Sequence, residues 1–471
     1  MNSGSRWHRW DPHIHAPGTL WNNQFKGSDA WDEYLTKLEQ AHPVIKAIGA
    51  TDYYILDSYE QMCAHKRQGR LPACDLIFPN IEMRLTTGTI EGRHVNIHLL
   101  VCPDDQNHIA DLRRFLARLT FNAYGEVLTC RDDDFIKLGR MSDSSLAERA
   151  ALEKGAEQFK VEFDMLRKEY EASDWAKKNI LIAVAGSETD GTSGVRDGSS
   201  TTLRQEIEKF AHVIFASSPA QRNFWAGDGK ASESELWQRY DGPKPCMHGC
   251  DAHDPSKVGV PDGDRYSWIK GQVAFDTLRQ ACIDPKGRAF VGPQRPISAT
   301  PSLAIASLDI KGANWAKSPR VEFNPGLVAI IGARGSGKSA LAEMTALGCD
   351  AIPEHQSDDS FLRRAKALLA GVSATLTWES GESVERQPRD GQSQGADSYP
   401  RARYLSQKFV DDLCAAVRVT DGLLEEIQRV IFEAHPLSDR DGTSSFDELL
   451  DLRVTVFRES RLREEAALER V

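Results

Sequence analysis

A short glycine-rich stretch constrains the fold of this chain more than any other feature of its sequence. Residues 332–339 read GARGSGKS and match the pattern G-x-x-x-x-G-K-[ST] in full, directly after the apolar run GLVAII at 326–331. Such a loop requires a strand before it and a helix after it, and the segment SALAEMTAL at 339–347 suits that helix. The sequence therefore predicts a strand, a phosphate-binding turn and a helix.

This loop is expected to hold the phosphates of ATP together with Mg²⁺. Its glycines let backbone amides turn toward the phosphates, and the dipole of the following helix adds positive potential there. Lys338 brings a charge to the β- and γ-phosphates, and Ser339 offers a hydroxyl group to Mg²⁺. The predicted nucleotide-binding residues of the loop are Gly332, Ala333, Arg334, Gly335, Ser336, Gly337, Lys338 and Ser339.

Two histidines near the N-terminus indicate a metal site if other ligands join them. The stretch RWDPHIHAPGT at 9–19 holds His13 and His15, and taken alone it suits a surface turn equally well. Metal sites draw further ligands from distant segments, and imidazole and carboxylate groups suit Zn²⁺, Mn²⁺ or Fe²⁺. Further candidates follow or lie on apolar strand patterns or in the segment MHGCDAHD: Asp52, Glu82, His98, Asp251 and His253.

The order of these residues resembles the PHP (polymerase and histidinol phosphatase) family over most of residues 6–280. The motifs that match are His13/His15, Thr51-Asp52, Glu82, His98 and Asp251/His253. The resemblance implies a PHP-like β/α barrel that hydrolyses a phosphoester with about two Zn²⁺ or Mn²⁺ ions. The implied ligands are His13, His15, Glu82 and Asp251 for one ion, Glu82 and His98 for a second, and Asp52 and His253 as further ligands or a catalytic proton-transfer pair.

The sequence departs from the family pattern at two places and leaves one alternative open. Tyr53 stands where the family has the histidine of Thr-Asp-His, and His212 is only a weak match to its remaining middle motif. A rival interpretation makes a closed structural zinc site from Cys246, His248, Cys250 and His253. Four ligands so close in sequence make cramped geometry, because closed tetrahedral sites usually take their pairs from two separated segments.

Short apolar runs that alternate with helical patterns predict β/α units in the N-terminal part of the chain. We expect a phosphoesterase domain over 1–283, a proline-rich linker over 284–301, and a partial ATPase head with a helical C-terminal segment over 302–471. The segment 186–200 is predicted to be an exposed loop, 147–172 a helix, and 320–332 a hairpin.

A PHP-like domain followed by this loop resembles the TrlF-type AAA-like ATPases, whose heads are similar to those of SMC and ABC proteins. Gln407, after a short predicted strand, resembles their Q-loop glutamine. No apolar strand ending in an acidic residue follows 340, so we expect ATP binding without hydrolysis by this chain alone. The resemblance implies a homodimer through the head, or a separate C-terminal ATPase half.

Net charge, cysteine content and the lack of long apolar runs limit the classes of function that this chain can have. The net charge of −11 argues against a protein that coats nucleic acid by bulk electrostatics, although a local basic channel remains compatible with it. Nine scattered cysteines and the lack of a signal-like apolar run indicate a cytoplasmic protein without membrane segments. Three hypotheses follow: a phosphoesterase or nuclease acting on nucleic acid in processing or anti-phage defence, a catalytically inactive sensor switched by ATP, and a small-molecule phosphatase.

Overall fold

A mixed nine-stranded sheet organises the first part of the chain, with a separate hairpin of β5 and β6. The order across the sheet is β11-β10-β1-β2-β3-β4-β7-β8-β9, and its end strands β9 and β11 approach each other, so the sheet is a nearly closed barrel. The strands are β1 (Trp7–His15), β2 (Ile45–Tyr53), β3 (Leu76–Gly88), β4 (His94–Val101), β5 (Thr120–Ala123), β6 (Glu126–Thr129), β7 (Ile180–Ala185), β8 (Val213–Phe215), β9 (Cys246–Met247), β10 (Tyr266–Lys270) and β11 (Ala289–Gly292).

The computed structural model describes residues 4–88, 94–186, 201–297, 299–352, 360–388, 401–407, 410, 424, 427–428, 431–432 and 439–468. Twelve described helices surround the barrel sheet or lie in its connections. They are α1 (Ala30–Gln40), α2 (Asp57–Arg67), α3 (His108–Leu116), α4 (Asp132–Ser142), α5 (Glu148–Gln158), α6 (Phe163–Glu171), α7 (Asp174–Asn179), α8 (Thr201–Phe210), α9 (Pro219–Trp225), α10 (Glu233–Tyr240), α11 (Phe275–Ile283) and α12 (Pro285–Arg288).

The barrel sheet contains more antiparallel pairs than the β/α pattern predicts. Strands β1, β2 and β3 are parallel neighbours, as are β7, β8 and β9. Strands β4 and β10 run antiparallel to both of their neighbours. The connection from β3 to β4 is too short for the helical crossover that a parallel pair requires, which explains the reversal.

The barrel interior changes from apolar to polar along its strands. Phe78, Leu100, Phe215 and Met247 form an apolar floor with Phe275 of α11. The ring centroids of Phe78 and Phe275 are 5.6 Å apart. Side chains two residues apart share one face of a strand, so the positions beyond this floor face the same interior. Those positions carry the histidines and carboxylates of the candidate site.

The helix predicted over 147–172 is two helices, α5 and α6. The chain between them becomes extended, and Val161 forms a bridge with Leu85 at the end of β3. The amide of Val161 donates to the carbonyl of Arg84 at 2.9 Å. This pairing removes residues 159–162 from helical geometry, so tertiary contacts override the local helical pattern.

The chain divides into two compact units, Asn2–Ser298 and Ala299–Val471. The predicted linker over 284–301 begins too early, because α12 and β11 belong to the first unit. Strand β11 pairs with β10, and the indole nitrogen of Trp268 donates to the carbonyl of Gly292 at 3.0 Å. Proline content alone did not reveal this last edge strand.

The second unit is built on a four-stranded antiparallel sheet, with order β13-β12-β14-β15. The helix α13 packs on this sheet, and its Gly348 lies against Leu376. The elements are β12 (Ile305–Lys311), β13 (Arg320–Glu322), α13 (Lys338–Gly348), α14 (Phe361–Arg364), β14 (Ser373–Trp378), β15 (Ser383–Arg386) and α15 (Phe446–Leu468).

The strand predicted at 326–331 does not form. Only β13 appears from the predicted hairpin over 320–332, and the apolar run after it is exposed, with Leu327 at 97% and Ile331 at 89%. An apolar strand needs a neighbour to pair its backbone groups, and the described part of this unit offers none beside it. The antiparallel sheet therefore differs from the predicted ATPase lobe.

The charged C-terminal segment forms the predicted helix, α15. Gln407 is exposed and follows an irregular segment rather than the predicted strand. Of the predicted exposed loop at 186–200, all but Gly186 lies outside the described residues. Among the described helices, none has the length and apolar character that crossing a membrane requires.

Candidate metal centre

Two imidazoles and two carboxylates converge at the polar end of the barrel interior. Nε2 of His13 lies 3.2 Å from Oε2 of Glu82 and 3.2 Å from Oδ1 of Asp251. Nε2 of His15 lies 3.4 Å and 3.5 Å from the same two oxygens. The side chains of both histidines and of Glu82 are at most 4% exposed, whereas Asp251 is 20% exposed. Solvent therefore reaches this cluster at Asp251.

The local structure of two segments creates this convergence. His13 and His15 are two residues apart on β1, so both face the interior. The loop after β9 lies directly against β1: the amide of Asp251 donates to the carbonyl of His13 at 2.9 Å. A Cβ at Gly249 would lie 2.4 Å from that carbonyl oxygen, so only glycine permits the approach. The amide of Cys250 donates to Oδ1 of Asp11 at 3.1 Å and fixes the same loop.

The spacing of these atoms suits a single divalent ion. Four ligands at about 2.1 Å from a tetrahedral ion would lie about 3.4 Å from one another. The four nitrogen to oxygen distances, 3.2–3.5 Å, match that edge, and atoms of His13, His15 and Glu82 all lie within 4.8 Å of one another. The buried Nε2 of His15 has no hydrogen-bond partner among the described residues, as is normal for a ring nitrogen that binds a metal.

The charges of the cluster also suit a cation. Burial alone would lower the pKa of His15, but the neighbouring Asp251 and Glu82 outweigh burial and raise the pKa to about 9. Burial would raise the pKa of Glu82, but His13 and His15 lower it well below its usual value. The pKa of His13 is also raised, against the effect of burial, by Asp251 and Glu82. The two carboxylates thus favour positive charge at these ring nitrogens, and a divalent ion would compete with protons for them.

His98 lies beside this cluster and has the features of a further ligand. It is the direct cross-strand partner of Glu82, and its ring centroid is 4.8 Å from that of His13. Its Nδ1 is 3.0 Å from Oδ1 of Asn80, and its buried Nε2 has no hydrogen-bond partner among the described residues. Burial lowers the pKa of His98 to about 3, so the ring is neutral, as metal binding requires.

His253 and Tyr53 lie on the open side of the cluster. Nε2 of His253 is 3.5 Å from Oδ1 of Asp251 and 3.5 Å from the hydroxyl of Tyr53. The ring of His253 stacks on His15 with centroids 4.1 Å apart. Atoms of His15, Asp251 and His253 form a second group close enough to share a metal ion. Tyr53, which stands where the pattern of the PHP family has a histidine, thus faces the site.

Asp52 lies behind the cluster rather than in it. Its Oδ1 accepts hydrogen bonds from Thr19 Oγ1 and from the amides of Leu20 and Tyr53, and its Oδ2 accepts from Ser58 at 2.6 Å. Strand alternation explains this position, because Tyr53 faces the interior and its neighbour Asp52 faces outward. Asp52 acts on the site indirectly, since Thr19 Oγ1 also lies 3.0 Å from Nδ1 of His15. This arrangement differs from the ligand or catalytic role that the resemblance implies.

The remaining sequence candidates do not join the cluster. His212 precedes β8, and its Nδ1 accepts a hydrogen bond from the amide of Ile182 at 3.0 Å. Neither Cys246 nor Cys250 belongs to a group of closely spaced metal-ligating atoms within the described ranges. Burial beside Asp11 raises the pKa of Cys250, so its thiol stays protonated. The described residues therefore give no support to the rival structural zinc site.

Two asparagines that orient the candidate ligands were not predicted from the sequence. Asn96 donates to Oε1 of Glu82 at 2.5 Å, which leaves Oε2 to the histidines. Asn80 accepts from His98 and donates to the carbonyl of Pro12 at 2.9 Å. Each asparagine lies two residues from a ligand on its own strand, so the period of two was the signal that could have identified them.

The glycine-rich loop of the second unit is exposed and turns sharply before α13. Gly335 and Gly337 have φ values of 82° and 91°, which glycine adopts without strain. The ammonium of Lys338 donates to the carbonyls of Gly332 and Ala333 at 2.9 and 3.0 Å. The lysine therefore folds back over its own loop, on the side that phosphates would occupy in the predicted role.

Comparison with known proteins gives little further information. No family profile and no curated protein match this sequence. One similar solved structure is a protein of Bifidobacterium adolescentis that is described, provisionally, as a metal-dependent phosphoesterase. It is 14% identical, the match covers 58% of this chain and 96% of that chain, and the TM-score is 0.28. Similarity at this level carries no conclusion about the family or activity of this chain.

Proposed function

We propose that the first unit is a metal-dependent phosphoesterase. The observation that carries this proposal is the convergence of His13, His15, Glu82 and Asp251 at the spacing of ligands around one divalent ion. An ion of this kind supplies Lewis-acid activation of a phosphate oxygen and a water molecule of lowered pKa. His98 is the proposed additional ligand for a second ion.

The chain's own residues provide orientation and proton transfer. Thr19, held by Asp52, accepts from Nδ1 of His15 and so directs Nε2 toward the centre. Nε2 of His253, between Asp251 and the Tyr53 hydroxyl, is placed to take up or deliver a proton at the open side. The apolar floor of the barrel excludes water from the other side.

We further propose that residues 332–339, with Gln407, bind ATP and Mg²⁺ and couple nucleotide binding to the first unit. The complete motif and the two glycines in left-handed geometry support this proposal. The same proposal includes a nucleic acid substrate and a cytoplasmic location. It also includes assembly through the second unit, either as a homodimer or with a separate C-terminal ATPase half. The inactive sensor remains the second candidate, because Tyr53 faces the centre where the family pattern has a histidine.

One assay distinguishes these functions. Purified full-length protein is incubated with p-nitrophenyl phosphate, bis(p-nitrophenyl) phosphate, single-stranded DNA or RNA, each with Mn²⁺ or Zn²⁺ and with or without ATP. Hydrolysis that is lost in His13→Ala/His15→Ala supports the phosphoesterase. Turnover of the monoester alone identifies a small-molecule phosphatase. Metal binding without turnover of any of these substrates contradicts the phosphoesterase and favours the sensor.

A further inference from the structure

Two cationic side chains lie at the end of β3, beside the metal centre. Arg84 follows Glu82 by two residues on the same face of the strand, about 7 Å further along it. Its guanidinium lies 4.5 Å from the centroid of Trp21. Trp21 packs on Tyr53 at 4.2 Å, and Tyr53 stacks on His15 at 4.9 Å. Continuous ring contacts therefore connect Arg84 to the proposed ligands.

Lys160 is held next to Arg84 by the backbone. The bridge between Leu85 and Val161 joins the end of β3 to the segment after α5. Among the described residues, the ammonium of Lys160 donates to carbonyl oxygens only, those of Glu157 and Phe159. Burial, followed by the charge of Arg84, lowers the pKa of Lys160 to about 8, against a smaller opposing effect of Glu157. The two cations are thus close enough to repel each other.

Neither cation forms an ion pair with a carboxylate within the ranges that the structure describes. Other basic residues of the neighbouring helix α5 do have such partners: Arg149 pairs with Glu153 and Lys154 with Glu157. Both Arg84 and Lys160 are only partly exposed, which weakens screening of their charges by water. Adjacent cations without a carboxylate partner create a positive potential that favours an anion at this position.

We propose that Arg84 and Lys160 form a subsite for a second phosphate of the substrate, next to the phosphate that is hydrolysed at the metal centre. This inference rests on the proposed function and names its substrate class: phosphate esters that carry at least two phosphates. A nucleic acid strand and a nucleoside bisphosphate share this chemistry. Arginine binds such a phosphate through a planar pair of donors, and lysine adds a point charge.

Kinetics on paired substrates test the subsite. Full-length Arg84→Gln and Lys160→Gln are compared with wild type on a short oligothymidylate, on thymidine 3′,5′-bisphosphate and on p-nitrophenyl phosphate, with Mn²⁺. We expect the KM for substrates with two or more phosphates to rise about tenfold relative to the KM for p-nitrophenyl phosphate. Arg84→Lys should restore part of the loss. Lys154→Gln, which removes an exposed cation that has a carboxylate partner, is the matched control and should change neither constant.

Comparison of the two substrates that carry more than one phosphate shows whether the subsite binds a nucleic acid strand or any second phosphate group. A tenfold effect with the oligonucleotide alone identifies a nucleic acid strand, and an effect with both identifies the phosphate group itself. Equal changes in KM on all three substrates, or none, would overturn the subsite. Thermal unfolding of each variant, measured by circular dichroism, shows whether the variant keeps the overall stability of wild type.

A binding measurement keeps this inference separate from the proposed function. If wild type hydrolyses none of these substrates, fluorescent oligothymidylate is titrated with wild type and Arg84→Gln in the presence of Mn²⁺. About tenfold weaker binding by the variant supports the subsite even without catalysis. The affinity of wild type for the oligonucleotide should also fall as the salt concentration rises. Equal affinity of the two proteins overturns it.

Discussion

Each ring nitrogen of His15 has a distinct environment, and this fixes its chemical role. Nδ1 lies 3.0 Å from the Thr19 hydroxyl, which in turn donates to Asp52, while Nε2 faces Glu82 and Asp251. A proton on Nδ1 leaves the lone pair of Nε2 for a metal ion. The same division of roles holds at His98, where Asn80 engages Nδ1.

His13→Ala combined with His15→Ala should remove at least one metal ion per chain, because it deletes two of the four converging ligand atoms. Elemental analysis of purified protein, which we expect to hold about two transition-metal ions per chain, measures this loss. His65→Gln removes an imidazole that stacks on Trp31, away from the cluster, and is the control. Unchanged metal content in the double variant would contradict the assignment.

The raised pKa of His15 predicts how stability depends on pH. Its folded value of about 9 exceeds the unfolded value of about 6.5, so the contribution to stability is complete below pH 6.5 and is lost as pH rises toward 9. A bound metal replaces the proton and binds more tightly as pH rises. The difference in Tm between metal-loaded and chelator-treated protein should therefore widen from pH 6.5 to pH 8.5.

Differential scanning calorimetry at several pH values measures this difference. We expect the free energy of unfolding of the metal-free form to fall by up to about 3 kcal/mol as the pH rises toward 9. A Tm difference that stays constant over this range would show that the His15 proton is not linked to folding.

The sequence pattern was informative about which side chains converge and less informative about their neighbours. His13, His15, Glu82, His98 and Asp251 were predicted from their order along the chain, and the structure brings them together. The position of Asp52 was not predictable from its motif, because one residue of strand register decides whether a side chain faces the interior. Its neighbour Tyr53 takes the interior position instead.

At the scale of elements, the loop after β9 decides whether the site forms. Gly249→Ala would place a methyl group 2.4 Å from the carbonyl oxygen of His13. The loop that carries Asp251 must then move, so we expect metal affinity to fall at least tenfold and stability to fall by about 1–3 kcal/mol. Metal titration and urea unfolding measure the two effects. Gly326→Ala, which meets only a side chain oxygen of Asn324, is the control. Full metal affinity in Gly249→Ala would disprove the close approach.

A separate prediction concerns ATP binding at the glycine-rich loop before α13. Lys338→Ala should weaken the binding of labelled ATP by ten- to a hundredfold, since it removes the charge expected to face the β- and γ-phosphates. Equilibrium dialysis measures the affinity, and Lys366→Ala, which removes an exposed lysine in the turn after α14, is the control. Phosphate release is recorded in parallel, because we expect binding without turnover by this chain alone. Absence of ATP binding by wild type, or ATP turnover that Lys338→Ala abolishes, would contradict this prediction.

Elements were predicted well where local pattern and tertiary contacts agree. The apolar runs at 44–52, 75–83, 94–102, 179–187 and 212–218 each predict a strand, and β2, β3, β4, β7 and β8 overlap them in that order. The apolar run at 326–331 carries the same local signal, yet no described strand pairs with it, so it stays irregular. Strand formation depends on a neighbour that a single segment does not specify.

At the scale of the whole molecule, the boundary between the two units predicts where proteases cut. Cleavage should occur after Gly292 and before β12, not throughout 284–301, because α12 and β11 are part of the barrel unit. Limited proteolysis followed by mass spectrometry and elemental analysis should show a stable N-terminal fragment that keeps its metal. Primary cleavage within 285–292, or general degradation of the first unit, would contradict the division.

The hydrogen bond from Cys250 to Asp11 joins residues that are 239 positions apart in sequence. A ribosome needs about 10–50 s to synthesise that interval. Throughout this time His13 and His15 have emerged without Asp251, and β1 lacks its neighbour β10. The contact between β1 and the loop that carries Asp251 can therefore form only after the last strands of the barrel have left the exit tunnel. A centre whose candidate ligands come from both ends of one unit is therefore expected to bind metal only late in synthesis.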